Sequence, residues 1–165
     1  MKVSEMLLTY ARYNQWAHKR LTDLINMLTG EQQHAAVPSS FESLYKTVFH
    51  IWGSEIIWLG RLNQDPIKIS EDRFGGSMEK LSRSLETVDK QWVEWFDKKE
   101  DKLLTYKIHY TNMAGQSYDE PYELLLLHIF NHNTYHNGQL VTILRALGVD
   151  KIPSTDFIAW TQLTE

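Results

Sequence analysis

Apolar residues recur at steps of three and four over four long segments of the chain, the first of them near the N-terminus. There the repeat runs through Leu7, Tyr10, Ala17, Leu21, Leu24 and Leu28. This spacing places the side chains on one face of an α-helix and predicts a first helix over 4–28, which Gly30 can terminate. Asn14 interrupts the apolar stripe.

Two further repeats predict a second and a third helix. Ser39 and Glu42 form a capping-box pattern, so we expect the second helix over 40–62. The third is expected over 78–99, with charged residues on its outer face. The apolar residues that define the two repeats are Leu44, Val48, Ile51, Trp52 and Leu59, then Met78, Leu81, Leu85, Val88, Trp92, Trp95 and Phe96.

The connection between these two helices, residues 63–77, is long. It contains Pro66 and the pair Gly75 and Gly76, which break a helix. A link of this length can run back along a helix. We therefore expect a crossover, with helices 1 and 2 antiparallel and helices 2 and 3 parallel.

The remaining pattern predicts a β-hairpin, a long fourth helix and a short last one. Alternating large residues over 103–110, followed by the polar stretch 112–115, favour the hairpin. Pro121 suits the first turn of a helix that ends at Gly148, and the last helix carries Phe157, Ile158 and Trp160. The predicted fold is all-α: one domain over 1–165, a four-helix bundle with a long crossover between helices 2 and 3, a hairpin before helix 4 and a short C-terminal helix.

Composition excludes several classes of function. The net charge is −4 and Lys and Arg are scattered, so a nucleic-acid partner is not expected. No apolar run approaches the roughly 20 residues that cross a bilayer, and the N-terminus lacks a signal-peptide core, so we expect a cytoplasmic protein with no membrane partner. The chain has no cysteine, and any metal ion must bind histidine or carboxylate.

Histidines supply the candidate chemistry. His128, His132 and His136 are spaced by four residues, and each step turns the side chain by only about 40°, so neighbouring pairs can share an ion. His50 lies near the middle of helix 2 on a face of small residues that leaves room for an ion. Spacing alone leaves open whether His128 or His136 joins His132. The other three histidines, His18, His34 and His109, are expected to be ordinary surface or hydrogen-bonded residues.

Helix 4 contains the run His132, Asn133, Thr134, Tyr135, His136, Asn137, Gly138 and Gln139, followed by Leu144 to Gly148. This pattern resembles the histidine box of the DinB and YfiT-like superfamily of bacterial metalloenzymes. The run Tyr13, Asn14, Gln15, Trp16 and Ala17 resembles that family's first helix. The resemblance covers nearly the whole chain. It implies that His50, His132 and His136 bind the metal and that His128 has a packing or ligand-supporting role. Asn137 stands where many relatives have Arg, so the resemblance does not imply that this position contacts an anionic group of the substrate.

Three imidazoles leave at least one coordination position open, as in catalytic sites. We therefore expect one divalent ion, zinc or nickel, that activates a thiol or water. The resemblance to the family implies a metal-dependent enzyme of the S-transferase, isomerase or hydrolase type. The family resemblance implies that a small-thiol cosubstrate can take part, and helix phase makes Asn14 and Gln139 candidates for orienting a ligand. The alternative is a stress-associated protein that binds a metal or small ligand without turnover.

The chain is rich in large aromatic residues, with six Trp, eight Tyr and six Phe. Aromatic residues are enriched in the cores of protein interfaces. We therefore expect a homodimer, whose contacts would involve Trp92, Trp95 and Phe96 or the tail residues Phe157 and Trp160. The competing interpretation is that these side chains fill the core of the monomer.

Overall fold

The computed structural model of the protein describes residues 2–65, 67–97, 106–112 and 114–163. Four long helices dominate it, joined by shorter elements. They are, in chain order, α1 (Val3–Asn26), α2 (Gly30–His34), α3 (Leu44–Leu62), a 3₁₀ turn (Glu71–Phe74), α4 (Met78–Asp97), β1 (Lys107–Thr111), β2 (Ser117–Pro121), α5 (Tyr122–Ala146) and α6 (Phe157–Thr161). The predicted four-helix bundle is confirmed, and residues 98–99 and 103–105 of the predicted third helix and hairpin lie outside the described residues.

The long helices form a ring in which α1 and α3 are diagonal. Each of these two packs against both α4 and α5. The apolar stripes found in the sequence face inward, and one continuous core runs between the four helices, with fully buried side chains that include Leu21, Trp52, Leu81 and Leu126. None of the helices in the described part of the chain is long and apolar enough to cross a bilayer.

Contacts at both ends of the bundle show that α3 and α4 are parallel. His34 stacks against Tyr45 at the start of α3 and bonds to the carbonyl of Gly76 just before α4. At the opposite end, Trp95 Nε1 donates to Asn63 Oδ1 directly after α3. The link between the two helices therefore runs back along the bundle, which confirms the predicted crossover.

Two glycines of α3 let the crossover segment lie close to the helix. A Cβ added to Gly53 would lie 3.0 Å from Ile69 Cδ1, and one added to Gly60 would lie 2.5 Å from the carbonyl oxygen of Asp65. The two positions are seven residues apart and share one helix face. Small residues on this face are thus required by the topology.

Two predicted helix boundaries are wrong. The second long helix begins at Leu44, because Glu42 adopts a positive φ of 61° that a helix does not accommodate. Ser43 caps α3 by accepting from the backbone N–H of Lys46, whereas Ser39 accepts from the backbone N–H of Glu42 in a turn before it.

The prediction that Gly30 terminates the first helix also fails. Helix α1 ends at Asn26, and Gly30 is the first residue of α2, with the side chain of Thr29 as its N-cap.

The aromatic residues of α4 are internal. Trp92, Trp95 and Phe96 are 2%, 6% and 3% exposed, and Trp160 is 8% exposed. These side chains fill the monomer, so they are not the dimer contacts suggested by the sequence. Burial of large apolar groups stabilises the fold by about 1.5–3 kcal/mol per side chain.

Candidate metal centre

Three histidines from two neighbouring helices meet at one point. His50 projects from α3, and His132 and His136 project from successive turns of α5. The Nε2 atom of His132 lies 2.8 Å from Nε2 of His50 and 3.1 Å from Nε2 of His136. Thus the same type of ring nitrogen of all three residues is directed at a common centre.

The three nitrogens fit a divalent ion. Imidazole ligands lie about 2.0–2.1 Å from zinc, which places two nitrogens of a tetrahedral site about 3.3 Å apart. The observed separations are shorter by only a few tenths of an ångström, so a small outward shift would seat the ion. Three protein ligands also leave a further position for water or substrate.

Gln139 fixes the orientation of one ligand. Its Oε1 accepts a hydrogen bond from Nδ1 of His136 at 2.8 Å, and its amide donates to Ser40 Oγ at 2.9 Å. An imidazole that donates from Nδ1 keeps the lone pair of Nε2 for a metal ion. The sequence predicted that Gln139 orients a bound small molecule. In the structure its side chain contacts His136, one of the three histidines that we call the triad (His50, His132 and His136).

The environment keeps the three imidazoles neutral near pH 7. Burial, with a smaller effect of His136, lowers the pKa of His50 to about 4. Burial also lowers the pKa of His132 to about 4, helped by His136, His50 and His128. The pKa of His136 is lowered by burial, against a smaller opposing effect of Gln139. Neutral imidazole is the form that binds metal ions.

A groove with aromatic side chains in its walls begins at His50. Phe41 stacks on His50 with ring centroids 3.9 Å apart and also lies 5.5 Å from the ring of His136. From His50 the groove follows α3 and has a volume of about 740 Å³. Its walls include apolar and aromatic side chains, namely Phe41, Tyr45, Phe49, Ile57, Trp58 and Ile69.

Arg61 lies on the same face of α3, eleven residues beyond His50, which corresponds to roughly 16 Å along a helix. Its guanidinium stacks 4.4 Å from the ring of Trp58 and 5.0 Å from that of Tyr110, and it donates to the carbonyl of Thr111. The β-hairpin thus holds a cation at the far end of the groove.

The structure separates the other sequence candidates from this cluster. His128 is exposed, and its ring centroid lies 5.9 Å from that of His132, outside the set of converging nitrogens. Asn14 is buried on α1, and its amide has no hydrogen-bond partner among the described residues. Asn137 is also buried and without a partner there, so it does not serve as an exposed anion contact.

Sequence reasoning missed two residues of the loop before α3: Phe41, whose ring packs against His50 and His136, and Ser40, which accepts a hydrogen bond from Gln139. No periodicity marks them, because they lie outside the helices. It also missed Glu55 and Asp89, although a signal was present: both are carboxylates on the apolar stripes of their helices, and both are buried.

Comparisons with known proteins agree with this architecture. The model of the DinB family matches residues 1–164. Protein DinB of Bacillus subtilis (strain 168) is 22% identical over 171 residues, covering 99% of this chain and 98% of that protein. Among solved structures, a DinB-like protein from Bacillus cereus ATCC 10987 is similar with a TM-score of 0.67, at 18% identity over 88% of this chain and 94% of the other.

A second solved structure is similar to the same extent. YfiT from Bacillus subtilis, described as a probable metal-dependent hydrolase with an unusual four-helix bundle topology, has a TM-score of 0.67 at 11% identity. The match covers 88% of this chain and 90% of YfiT. At such identities the structures show a shared fold, and the family model spans the sequence: this chain belongs to the DinB family.

Proposed function

We propose that this protein is a metal-dependent enzyme that uses His50, His132 and His136 to hold one divalent ion and to activate a water or a thiol. The observation that carries the proposal is the convergence of three neutral imidazole nitrogens beside an open groove. The description of YfiT as a probable metal-dependent hydrolase supports it. Zinc or nickel is the expected ion, since both suit imidazole ligands.

A bound divalent ion would supply a Lewis acid that lowers the pKa of a water or thiol. The protein's own residues supply the orientation. Gln139 keeps the Nδ1 proton on His136, and Phe41 covers one face of His50. The chain has no cysteine, so a reacting thiol must arrive as substrate or as a small-thiol cosubstrate.

The groove favours a substrate with an apolar body and an anionic group. Aromatic and aliphatic side chains line its walls together with Lys46, Glu71 and Asp72. Arg61 presents a guanidinium at the end away from the triad. Burial lowers the pKa of Arg61, yet arginine keeps its charge in proteins. Arg61 would thereby provide an anion contact that Asn137 does not.

The proposal is tested with zinc-loaded protein, p-nitrophenyl esters and anilides for hydrolysis, and cysteine with a chromogenic chloronitrobenzene for thiol transfer. We expect turnover in at least one assay that is lost in His132→Ala. His109→Ala is the matched control, because His109 is an exposed strand residue paired with Asp119. Zinc-loaded protein that turns over none of these probes would instead be a metal or small-ligand binding protein, and the enzymatic proposal would be rejected.

A further inference from the structure

A second group of polar side chains lies in the centre of the bundle, away from the groove. Each long helix contributes one member: His18 from α1, Glu55 from α3, Asp89 from α4 and Asn133 from α5. They are 2%, 1%, 3% and 0% exposed. Polar and charged groups at this depth are costly unless they are paired, so the cluster requires an explanation.

Two hydrogen bonds link the four residues in pairs. His18 Nδ1 lies 2.9 Å from Asp89 Oδ1, and Asn133 Nδ2 donates to Glu55 Oε1 at 2.6 Å. Among the described residues, Oε2 of Glu55 has no hydrogen-bond donor and Nε2 of His18 has no partner. Two buried groups therefore retain unused lone-pair or proton positions.

Two carboxyl groups of the cluster lie close to each other. One carboxylate oxygen of Glu55 and one of Asp89 lie within 4.8 Å of each other. Burial raises the pKa of Glu55, and Asp89 raises it further. Within the described residues, no Lys or Arg forms an ion pair with either of them. Without a Lys or Arg partner, either protons held within the cluster or a divalent cation must compensate for the two carboxyl groups.

The geometry points to a second divalent cation held by His18, Glu55 and Asp89. One potential ligand atom from each residue lies within 4.8 Å of the others. Three ligand atoms that each lie about 2.0–2.2 Å from one ion are about 3.3–3.8 Å apart, so a contraction of up to about 1 Å would seat the ion. One imidazole and two carboxylates suit a first-row ion such as Mn²⁺, unlike the all-imidazole triad.

A path from solvent leads to this cluster. A cleft of about 220 Å³ between α1 and α4 has His18 and Asp89 among its lining residues. Its walls also carry charged side chains of both signs, namely Lys19, Asp23, Glu79, Arg83 and Glu86. A hydrated cation can thus approach along polar walls before it loses its water.

The second cluster is separate from the triad. Glu55 follows His50 by five residues and Asn133 follows His132 by one, so both are turned by more than a quarter of a helix turn to another face. No residue is shared between the two sets. The inference is therefore independent of the proposed function, and either can fail without the other.

The test uses the full chain with the triad removed by His50→Ala and His132→Ala. After chelation and dialysis, Mn²⁺ is titrated and bound ion is measured by electron paramagnetic resonance. We expect about one tightly bound Mn²⁺ per chain, with one histidine nitrogen detected by electron spin echo modulation. Adding Asp89→Asn should abolish this binding, whereas adding Asp23→Asn, an exposed acid of the same cleft, should leave it. No tight Mn²⁺ binding in the triad-deleted protein would overturn the inference.

The variant Glu55→Gln, made in the triad-deleted protein, distinguishes a cluster that binds a cation from one that holds a shared proton. It also replaces Asp89→Asn as the test variant if Asp89→Asn does not fold. If a cation fills the cluster, Mn²⁺ raises the melting temperature of the triad-deleted parent and leaves that of the Glu55→Gln variant unchanged. If a proton fills it, Mn²⁺ shifts neither protein, and Glu55→Gln is at least as stable as the parent. The second result rejects the cation site.

Discussion

The Nδ1 atom of His136 donates to Oε1 of Gln139 at 2.8 Å, and this bond determines which nitrogen of His136 faces His50 and His132. The same amide donates to Ser40 Oγ and so ties α5 to the loop before α3. One side chain thereby sets the tautomer of a ligand and connects the two elements that supply the triad.

Replacing Gln139 by Leu should weaken metal binding by about 10–100-fold, the usual effect of losing a partner that orients a ligating histidine. Competition with a chromophoric chelator measures the Kd for zinc. Gln139→Glu, which keeps the acceptor oxygen, should retain most of the affinity. Equal affinity of wild type and Gln139→Leu would show that the hydrogen bond does not orient His136.

His132→Ala should abolish tight binding of the ion at the triad, because His132 Nε2 contacts both of the other nitrogens. His128→Ala should retain most of it, since the exposed His128 ring lies outside the cluster. Elemental analysis of protein prepared without a nickel column gives the metal content. If both variants lose the ion equally, the ligand set is wrong.

The metal-free protein should lose stability as pH falls from about 6.5 to about 4. The folded-state pKa values of His50 and His132 are lowered to about 4, whereas an unfolded histidine has a pKa near 6.5. Between about pH 6.5 and pH 4 the unfolded chain binds protons at these histidines and the folded chain does not, so the free energy of unfolding decreases with decreasing pH.

Urea unfolding of chelator-treated protein across this pH range tests that prediction. Replacing both His50 and His132 by Phe should reduce the slope of stability against pH, and His109→Phe should not. A slope that is unchanged in the double variant would assign the pH dependence to other groups.

Gly60→Ala should destabilise the fold by about 1–3 kcal/mol, because the new Cβ would lie 2.5 Å from the backbone oxygen of Asp65. Gly138→Ala is the matched control in a helix. No atom outside its own helix turn lies within 4 Å of the added Cβ, so it should stabilise by about 0.5–1 kcal/mol. Equilibrium denaturation measures both, and a stabilising Gly60→Ala would contradict the close approach of the crossover.

Burial of the α4 aromatic residues removes the contacts first suggested for a homodimer, so the homodimer stays a prediction. A homodimer would give a mass near twice 19.4 kDa in light scattering at micromolar concentration. Because Trp95 is internal, Trp95→Ala should lower stability by about 3–5 kcal/mol without dissociating the dimer at temperatures where it folds. A mass equal to that of one chain, unchanged on dilution, would reject the predicted homodimer.

Local patterns were sufficient to predict the long helices and the hairpin. The apolar repeats through Leu21 and Leu85 reflect backbone hydrogen bonding and burial within one segment, which neighbouring residues determine. The long 63–77 link likewise indicated the crossover. The helix start at Leu44 could not be derived in this way, because the positive φ of Glu42 overrides the capping-box pattern.

The sequence also determined which residue types could bind a metal, since without cysteine only histidines and carboxylates remain. Spacing on one helix could not choose between His128 and His136, because the two pairs with His132 are equivalent. Only tertiary packing of α3 against α5 joins His50 to His132 across 82 positions, and only the bundle joins His18 to Asp89 across 71. Such contacts depend on which helix faces meet in space, and the short-range periodicity of a single helix carries no information about that.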